Sequence, residues 1–247
     1  MKWRVIELET HDAFTNMALD ETAEESIRTG EAPPTIRFYR WKPSAVSIGC
    51  FQGLDEEVDT EACNRLGVDY VRRRTGGGAV YHDENGEITY SIIAKEGSFP
   101  KGIRESYRAI CSCVVAGLAD LGIQAEFVPI NDVVVGGRKI SGSAQTRREG
   151  VLLQHGTVLY DIDMKTMFSL LKISREKISD KAIKSAGERV TSVKDHSSAT
   201  IGDLYNSLLN GFLEGRKWEF GYWTEKERER AEELSESYRS REWNFSR

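Results

Sequence analysis

The sequence predicts an α+β fold: a mostly antiparallel sheet flanked by helices. Three observations carry this. Asp132–Val135 and Arg138–Ser141 flank Gly136-Gly137, and two glycines supply the positive φ of a tight hairpin turn. Helical stretches fall between groups of strands rather than after each strand. A regular strand–helix–strand alternation, the mark of a parallel sheet, is absent.

The elements follow in order. Asn16–Thr29 places Leu19, Ala23 and Ile27 at i, i+4 and i+8 and stops at Gly30, which reads as a helix with a glycine just past its end. Thr35–Arg40 and Ala45–Gly49 are short β-branched or aromatic runs, read as strands. Glu56–Leu66 reads as a helix stopped by Gly67; Val68–Arg74 and Glu87–Ala94 read as strands. Ile103–Leu121 carries Ile103, Tyr107, Ile110, Val114, Leu118 and Leu121 on one stripe and is the strongest helix pattern in the chain. Val151–Asp161 is a further strand, and Asp163–Leu171 and Ile201–Leu213 read as helices. Thr224-Glu225-Lys226-Glu227 is a capping box that opens a charged last helix. Neither a repeat nor a linker interrupts the chain, so one domain over 1–247 is expected, allowing a small C-terminal appendage over 199–247.

The 247 residues carry a net charge of −5, with 39% hydrophobic and 30% charged residues, the balance of a globular chain with a sizeable core. No apolar run approaches the ~20 residues of a membrane span, and Met1-Lys2-Trp3-Arg4 leads into Glu7 and Glu9 rather than an apolar signal region, so a cytoplasmic location is expected. Mild acidity argues against a general nucleic-acid binder. Cys50, Cys63, Cys111 and Cys113 follow no framework spacing and read as reduced thiols.

Three segments carry chemistry. In Arg72-Arg73-Arg74-Thr75-Gly76-Gly77-Gly78-Ala79-Val80-Tyr81-His82-Asp83, arginines supply planar forks for an anion and the glycines let backbone N–H groups approach it. The run is neither a Walker A loop nor a Gly-x-Gly-x-x-Gly fingerprint, because Tyr81 stands where the last glycine would fall. Lys139 follows the hairpin turn among small residues and can lean over a ligand as a fixed charge or act as a nucleophile. Asp132 could hold a magnesium ion beside phosphates. In Gln154-His155-Gly156-Thr157 the histidine reads as structural or ligand-facing.

Together these segments resemble the lipoate–protein ligase A family of the biotin/lipoate ligase superfamily. The resemblance rests on Asn16-Met17-Ala18-Leu19-Asp20-Glu21, Arg37-Phe38-Tyr39, Ile48-Gly49-Cys50-Phe51-Gln52, Arg73 through Asp83, Asn131-Asp132, Arg138 through Ala144, His155-Gly156-Thr157, Arg189-Val190-Thr191 and Glu242-Trp243-Asn244. It implies the catalytic fold of that superfamily and a ligase that activates lipoate with ATP and Mg2+ to lipoyl-AMP, then passes the lipoyl group to a lysine of a carrier domain. It also implies the site: Arg73, Gly78, Ala79, Val80, Tyr81 and Lys139 at ATP; Gly76, Gly77, Lys139 and His155 along lipoate; Asp132 near the metal; Lys139 catalytic. Such a lysine would stabilise the charge that develops as carboxylate meets phosphate.

The carrier expected is a lipoyl domain of the 2-oxoacid dehydrogenase E2 or glycine cleavage H protein type. Ligases of the family carry a C-terminal accessory domain, whereas this chain closes at Arg247, so a separate accessory protein is expected. The alternative is an octanoyltransferase that moves octanoate between carrier proteins through a cysteine thioester. In that subfamily the cysteine lies shortly upstream of the Gly-Arg-Lys turn, and Gln124–Val135 contains none, which favours the ligase. A non-catalytic binding subunit would show loss of Lys139 or the triple glycine, and neither is lost.

Overall fold

A computed structural model describes residues 2–161, 163–172 and 187–247. In chain order the elements are β1 (Lys2–His11), α1 (Ala13–Thr29), β2 (Thr35–Trp41), β3 (Ala45–Ile48), α2 (Leu54–Glu57), α3 (Thr60–Leu66), β4 (Asp69–Arg72), β5 (Val80–His82), β6 (Glu87–Lys95), α4 (Ile103–Asp120), β7 (Glu126–Val128), β8 (Asp132–Val135), β9 (Arg138–Arg148), β10 (Val151–Leu159), α5 (Met164–Leu170), α6 (Ile201–Leu213), β11 (Lys217–Phe220), α7 (Glu225–Arg239) and α8 (Arg241–Asn244).

An eight-stranded sheet runs β11-β1-β2-β6-β10-β9-β8-β7, and a three-stranded sheet runs β4-β3-β5. From β2 to β7 every pairing of the large sheet is antiparallel. The expected α+β architecture is present. Its parallel pairings are β1 with β2 and β11 in the large sheet and β3 with β4 in the small one. The sequence pattern announces neither the α1 connection between β1 and β2 nor the return of β11 beside β1.

The large sheet is covered on both faces. Helices α4 and α6 pack on one face over Phe38, Ile88, Tyr90 and Ile92. Helices α1 and α7 cover the other over Tyr39, Trp41 and Ile93. The small sheet has its own core of Val46, Ile48, Leu54, Val58 and Leu170. Strand β6 shows how the faces differ. Ile88, Tyr90, Ile92 and Ala94 face α4, while the alternating Glu87, Thr89 and Ser91 turn the other way, and all are buried.

Local differences from the sequence reading have local causes. The stretch 56–66 is two short helices, because the Asp59 side chain caps Ala62 N–H at 2.8 Å and Val58 is extended, bridging to Leu171. Ile103 opens α4 but is 62% exposed; burial on that helix begins at Ser106 and Tyr107. Cys111 and Cys113 are both buried on different sides of α4, Cys111 beside Ser143 and Gln154 of the sheet and Cys113 beside Arg216. The segment after 199 is woven into the fold: α6 lies on α4, α7 on α1, and β11 extends the sheet beside β1. Buried Arg4 of β1 anchors α7 through a two-pronged ion pair with Glu227 at 2.7 and 2.8 Å. No helix among the described residues is long and apolar enough to cross a membrane.

Helices α4 and α6 cross at two glycines. A Cβ on Gly211 would stand 2.3 Å from the Cys113 carbonyl and 2.6 Å from the Gly117 nitrogen. Gly211→Ala should therefore cost about 1–3 kcal/mol or more in urea unfolding through overpacking. Gly202→Ala, whose Cβ meets nothing nearer than 3.6 Å, should be neutral or stabilising because alanine is the better helix former.

Candidate functional site

The polar face of β6 needs partners, and they come from α1, β2 and β10. Paired residues across the sheet place Arg37, Ser91, His155 and Ala144 in one row. Above them Asn16 and Asp20, one helical turn apart on α1, point at the row. Fully buried Arg37 donates to the Asn16 backbone and side-chain oxygens at 2.9 Å each and to Asp20 at 3.0 Å. Asp20 Oδ2 also accepts from Ser91 at 2.9 Å and lies 3.0 Å from His155 Nδ1. Burial works to raise the Asp20 carboxyl, but the His155 hydrogen bond and the Arg37 charge outweigh it and hold it low. Burial lowers the His155 imidazole, with Asp20 working against that.

The glycine loop is built around Arg73. This buried guanidinium donates to Ser47 O and Oγ at 3.1 and 3.2 Å, to the Gly76 and Gly78 carbonyls at 2.8 Å, and through Nε to Thr75 at 3.1 Å. Burial draws it down to about 10, so it stays charged at neutral pH. Two glycines are sterically required here. Gly77 has φ +102°, and a Cβ on Gly49 would sit 2.1 Å from the Gly77 carbonyl oxygen. Arg72 and Arg74 turn elsewhere: Arg72 to backbone carbonyls of Gly49, Gln52 and Asn244, and Arg74 to Glu21. All three arginines therefore serve protein partners.

These parts enclose a cavity of about 360 Å3. Of the residues expected at the site, Arg73, Gly77, Gly78, Ala79, Val80, Tyr81, Lys139 and His155 line it. Gly76 and Asp132 border it, Gly76 through its carbonyl on Arg73 and Asp132 through an ion pair with Lys139 Nζ at 2.8 Å. Lys139 is braced on both sides: its N–H donates to the Arg189 carbonyl and its own carbonyl accepts from Thr191, each at 2.8 Å. Its chain lies over Gly142, where a Cβ would stand 2.6 Å from Nζ, so the small residue after the turn makes room for the lysine.

Sequence reasoning missed the inner wall of Met17, Tyr39, Trp41, His82 and Thr89. There the His82 ring stacks on Trp41 with centroids 4.0 Å apart, and its nitrogens engage Glu87 at 2.7 Å and Ser47 at 2.8 Å. The alternation of Glu87, Thr89 and Ser91 with apolar residues in an otherwise buried strand is the signal that marks this face. None of the four cysteines lines the cavity. Cys111 lies close behind it, its sulfur 3.7 Å from the hydroxyl of cavity-lining Ser143, but burial pushes that thiol up to about 11.

The pattern defining the lipoyl protein ligase A/B catalytic domain matches residues 12–213. Octanoyltransferase LipM of Kyrpidia tusciae is 37% identical, covering 98% of both chains. LipM of Geobacillus kaustophilus is 38% identical over 99% of this chain and 98% of that one. A bipartite lipoate protein ligase from Thermoplasma acidophilum superposes with a TM-score of 0.88 at 36% identity, covering 99% of this chain and 96% of that one.

The end-to-end relatives named octanoyltransferase overturn the expected ATP-dependent lipoate ligase, and with it ATP and Mg2+ as cofactors. An acyl group that arrives already esterified is electrophilic enough for transfer, so no adenylate is needed to activate it. The lack of a cysteine in 124–135 does not decide the activity. Asp132, expected at a metal, has its carboxylate on Lys139.

Two predictions follow from the buried charges. Arg73→Lys keeps a cation but cannot reproduce the forked contacts that hold the loop, so turnover should fall by at least ten-fold while circular dichroism remains native. Glu24 of α1 is 5% exposed, neither carboxylate oxygen has a hydrogen-bond partner among the described residues, and burial raises it to about 7, partly offset by Arg74. Because its folded value lies above the ordinary 4.5, its stabilising contribution is full below pH 4.5 and lost as pH rises through about 7. Glu24→Gln should therefore raise the melting temperature at pH 8, with the gain shrinking as pH is lowered toward 4.5.

Proposed function

The chain belongs to the lipoyl protein ligase A/B catalytic family, and on that premise we propose that it is an octanoyltransferase moving a medium-chain acyl group from a carrier thioester to the lysine of a lipoyl carrier domain. The single observation that carries the chemistry is Lys139, its backbone braced on both sides, at a cavity large enough for an eight-carbon chain. The acyl chain lies along Gly77 and His155, and the carbonyl stands beside Lys139 Nζ. The acceptor amine, in its neutral form, attacks that carbonyl. The C–N bond forms, the negative charge that builds on the oxygen is met by the ammonium, and the C–S bond breaks to release the carrier thiol with the amine's proton. Lys139 is the catalytic residue of this reading; Arg73 and Gly76–Gly78 shape the wall.

With no thiol on the cavity wall, the acyl group passes directly between carriers rather than through a cysteine of this chain. We read 1–247 as one catalytic unit. Its acceptor is a lipoyl domain of the 2-oxoacid dehydrogenase E2 or glycine cleavage H protein type, and a separate accessory protein assists in presenting it. Support for that last element is the bipartite make-up of the T. acidophilum ligase.

The test is a mass-spectrometric assay with an octanoyl-thioester carrier and an unmodified lipoyl domain. The acceptor lysine should gain one octanoyl group without ATP. Lys139→Ala should slow the step roughly 10²–10³-fold, the size of a lost preorganised charge. Replacing Cys50, Cys63, Cys111 and Cys113 should leave the rate within a few-fold. Modification only from free acid with ATP would overturn the reading. A folded but inactive Cys111 variant would replace direct transfer with an acyl-enzyme route.

A further inference from the structure

His155 spends both ring nitrogens inside the protein. Nδ1 meets Asp20 at 3.0 Å, and Nε2 meets the Thr75 hydroxyl at 2.8 Å. Thr75 in turn accepts from Arg73 Nε at 3.1 Å. Asp20, Thr75, Arg73 and His155 are all at least nine-tenths buried. Neither Asp20 nor Thr75 lines the cavity, so neither touches a bound acyl chain.

The protons in this run have one consistent direction. Arg73 Nε can only donate, so Thr75 Oγ1 accepts there and turns its own proton toward His155 Nε2. His155 must then carry its proton on Nδ1 and give it to Asp20, which is already held as an acceptor by Arg37 and Ser91. Arg73 uses its other arm on the Gly76 and Gly78 carbonyls. We infer that Asp20, His155 and Thr75 form a proton-directed relay that positions Arg73, and through it the glycine loop, as the wall of the acyl cavity. All three are positioning residues. His155 presents its ring to the cavity, and with Nε2 taken by Thr75 it is no general base.

The ring is set among opposing charges. Asp20 comes from α1, Arg37 from β2, His82 from β5 and Arg73 from the loop's start. In the small space on its far side lie Glu21 and Glu24 of α1, Arg74, and Tyr238 of α7. Protonation would add a second N–H facing the Thr75 oxygen and another cation beside Arg73, so the relay holds with the ring neutral and slackens as pH falls.

The relay does not depend on which acyl group is transferred; only its effect on turnover rests on the octanoyltransferase reading. The test therefore begins with the chain alone. Nitrogen-15 NMR should show His155, one of four histidines, as the Nδ1–H tautomer at pH 7. Amide-exchange protection of Cys50, whose N–H donates to the Thr75 carbonyl at the base of the loop at 2.9 Å, corrected for intrinsic rates, should fall at least ten-fold in Thr75→Val and stay within three-fold of wild type in Thr75→Ser. In Thr75→Val the His155 titration should move to higher pH, because the hydroxyl that favours the neutral ring is gone. An Nε2–H tautomer, or Cys50 protection unchanged in a folded Thr75→Val, overturns the relay. In the octanoyl assay Thr75→Val should lose at least ten-fold in kcat/KM and Thr75→Ser should recover most of it. Absence of octanoyl transfer by the wild-type chain would count against the activity assignment, and the NMR and exchange results would still decide the relay.

Discussion

The structure depends on a buried polar face. Strand β6 lies at the centre of the large sheet with helices on both sides, yet one of its faces carries Glu87, Thr89 and Ser91. Hydroxyls and carboxylates withdrawn from water are costly unless they are hydrogen-bonded. That constraint selects the residues above the strand. Trp41 donates to Thr89 at 2.8 Å, His82 engages Glu87, and Asp20 receives Ser91 and Arg37. Once Asp20 is fixed, His155 and Thr75 have a defined orientation, and Arg73 can hold the glycine loop. The cavity is the space these hydrogen-bonded side chains leave around themselves.

The same constraint explains why the arginines do not wait for an anion. An arginine buried as fully as Arg73 must place its donors on protein acceptors, and here they are the carbonyls of the loop that follows it. A flexible run of glycines thereby acquires a single shape without any side chains of its own. The backbone freedom of glycine and the fork of arginine are complementary: one permits the conformation and the other selects it. Lys139 is the opposite case. It is half-exposed, lies over Gly142 and, among the described residues, has its ion pair with Asp132, so its charge stands at the cavity rather than being spent on the fold.

The helices and the hairpin were legible in the sequence because their signals are local. Gly30 ends α1, Thr224 caps α7, and Gly136-Gly137 turns β8 into β9. Strands β1 and β11 were not read, since their pairing joins residues more than 200 positions apart and β11 is exposed throughout. At the site, the segments that line the cavity were found by residue type: glycines, arginines, a lysine after a turn. The chain from Asp20 through His155 to Thr75 was not, because its members come from α1, β10 and the loop after β4. An acid, a histidine and a hydroxyl scattered in sequence give no pattern until the sheet register puts them side by side. His82 was quoted in the glycine segment without a role and Trp41 was not singled out, because only the stack of the two rings between strands shows that they form a cavity wall.

The activity itself lies at a different level from the fold. Ligase and transferase share the problem of delivering an acyl carbonyl to a foreign lysine, and a charged group beside that carbonyl serves both. They differ in who activates the acyl group. If it arrives as a carboxylate, the site must bind a nucleotide and tolerate two anions meeting; if it arrives as a thioester, the activation has been done elsewhere. In the proposed reading the Arg73 loop and Lys139 would serve either origin, since both would face the carbonyl and the chain behind it. The relatives named octanoyltransferase weigh toward the second origin. The direct transfer proposed above would take its leaving thiol from the donor carrier, in keeping with a cavity lined by no cysteine and a Cys111 thiol pushed up by burial. On that proposal two carriers would have to meet at Lys139, whereas an acyl-enzyme route would let them visit in turn; the difference lies in where the thiol sits.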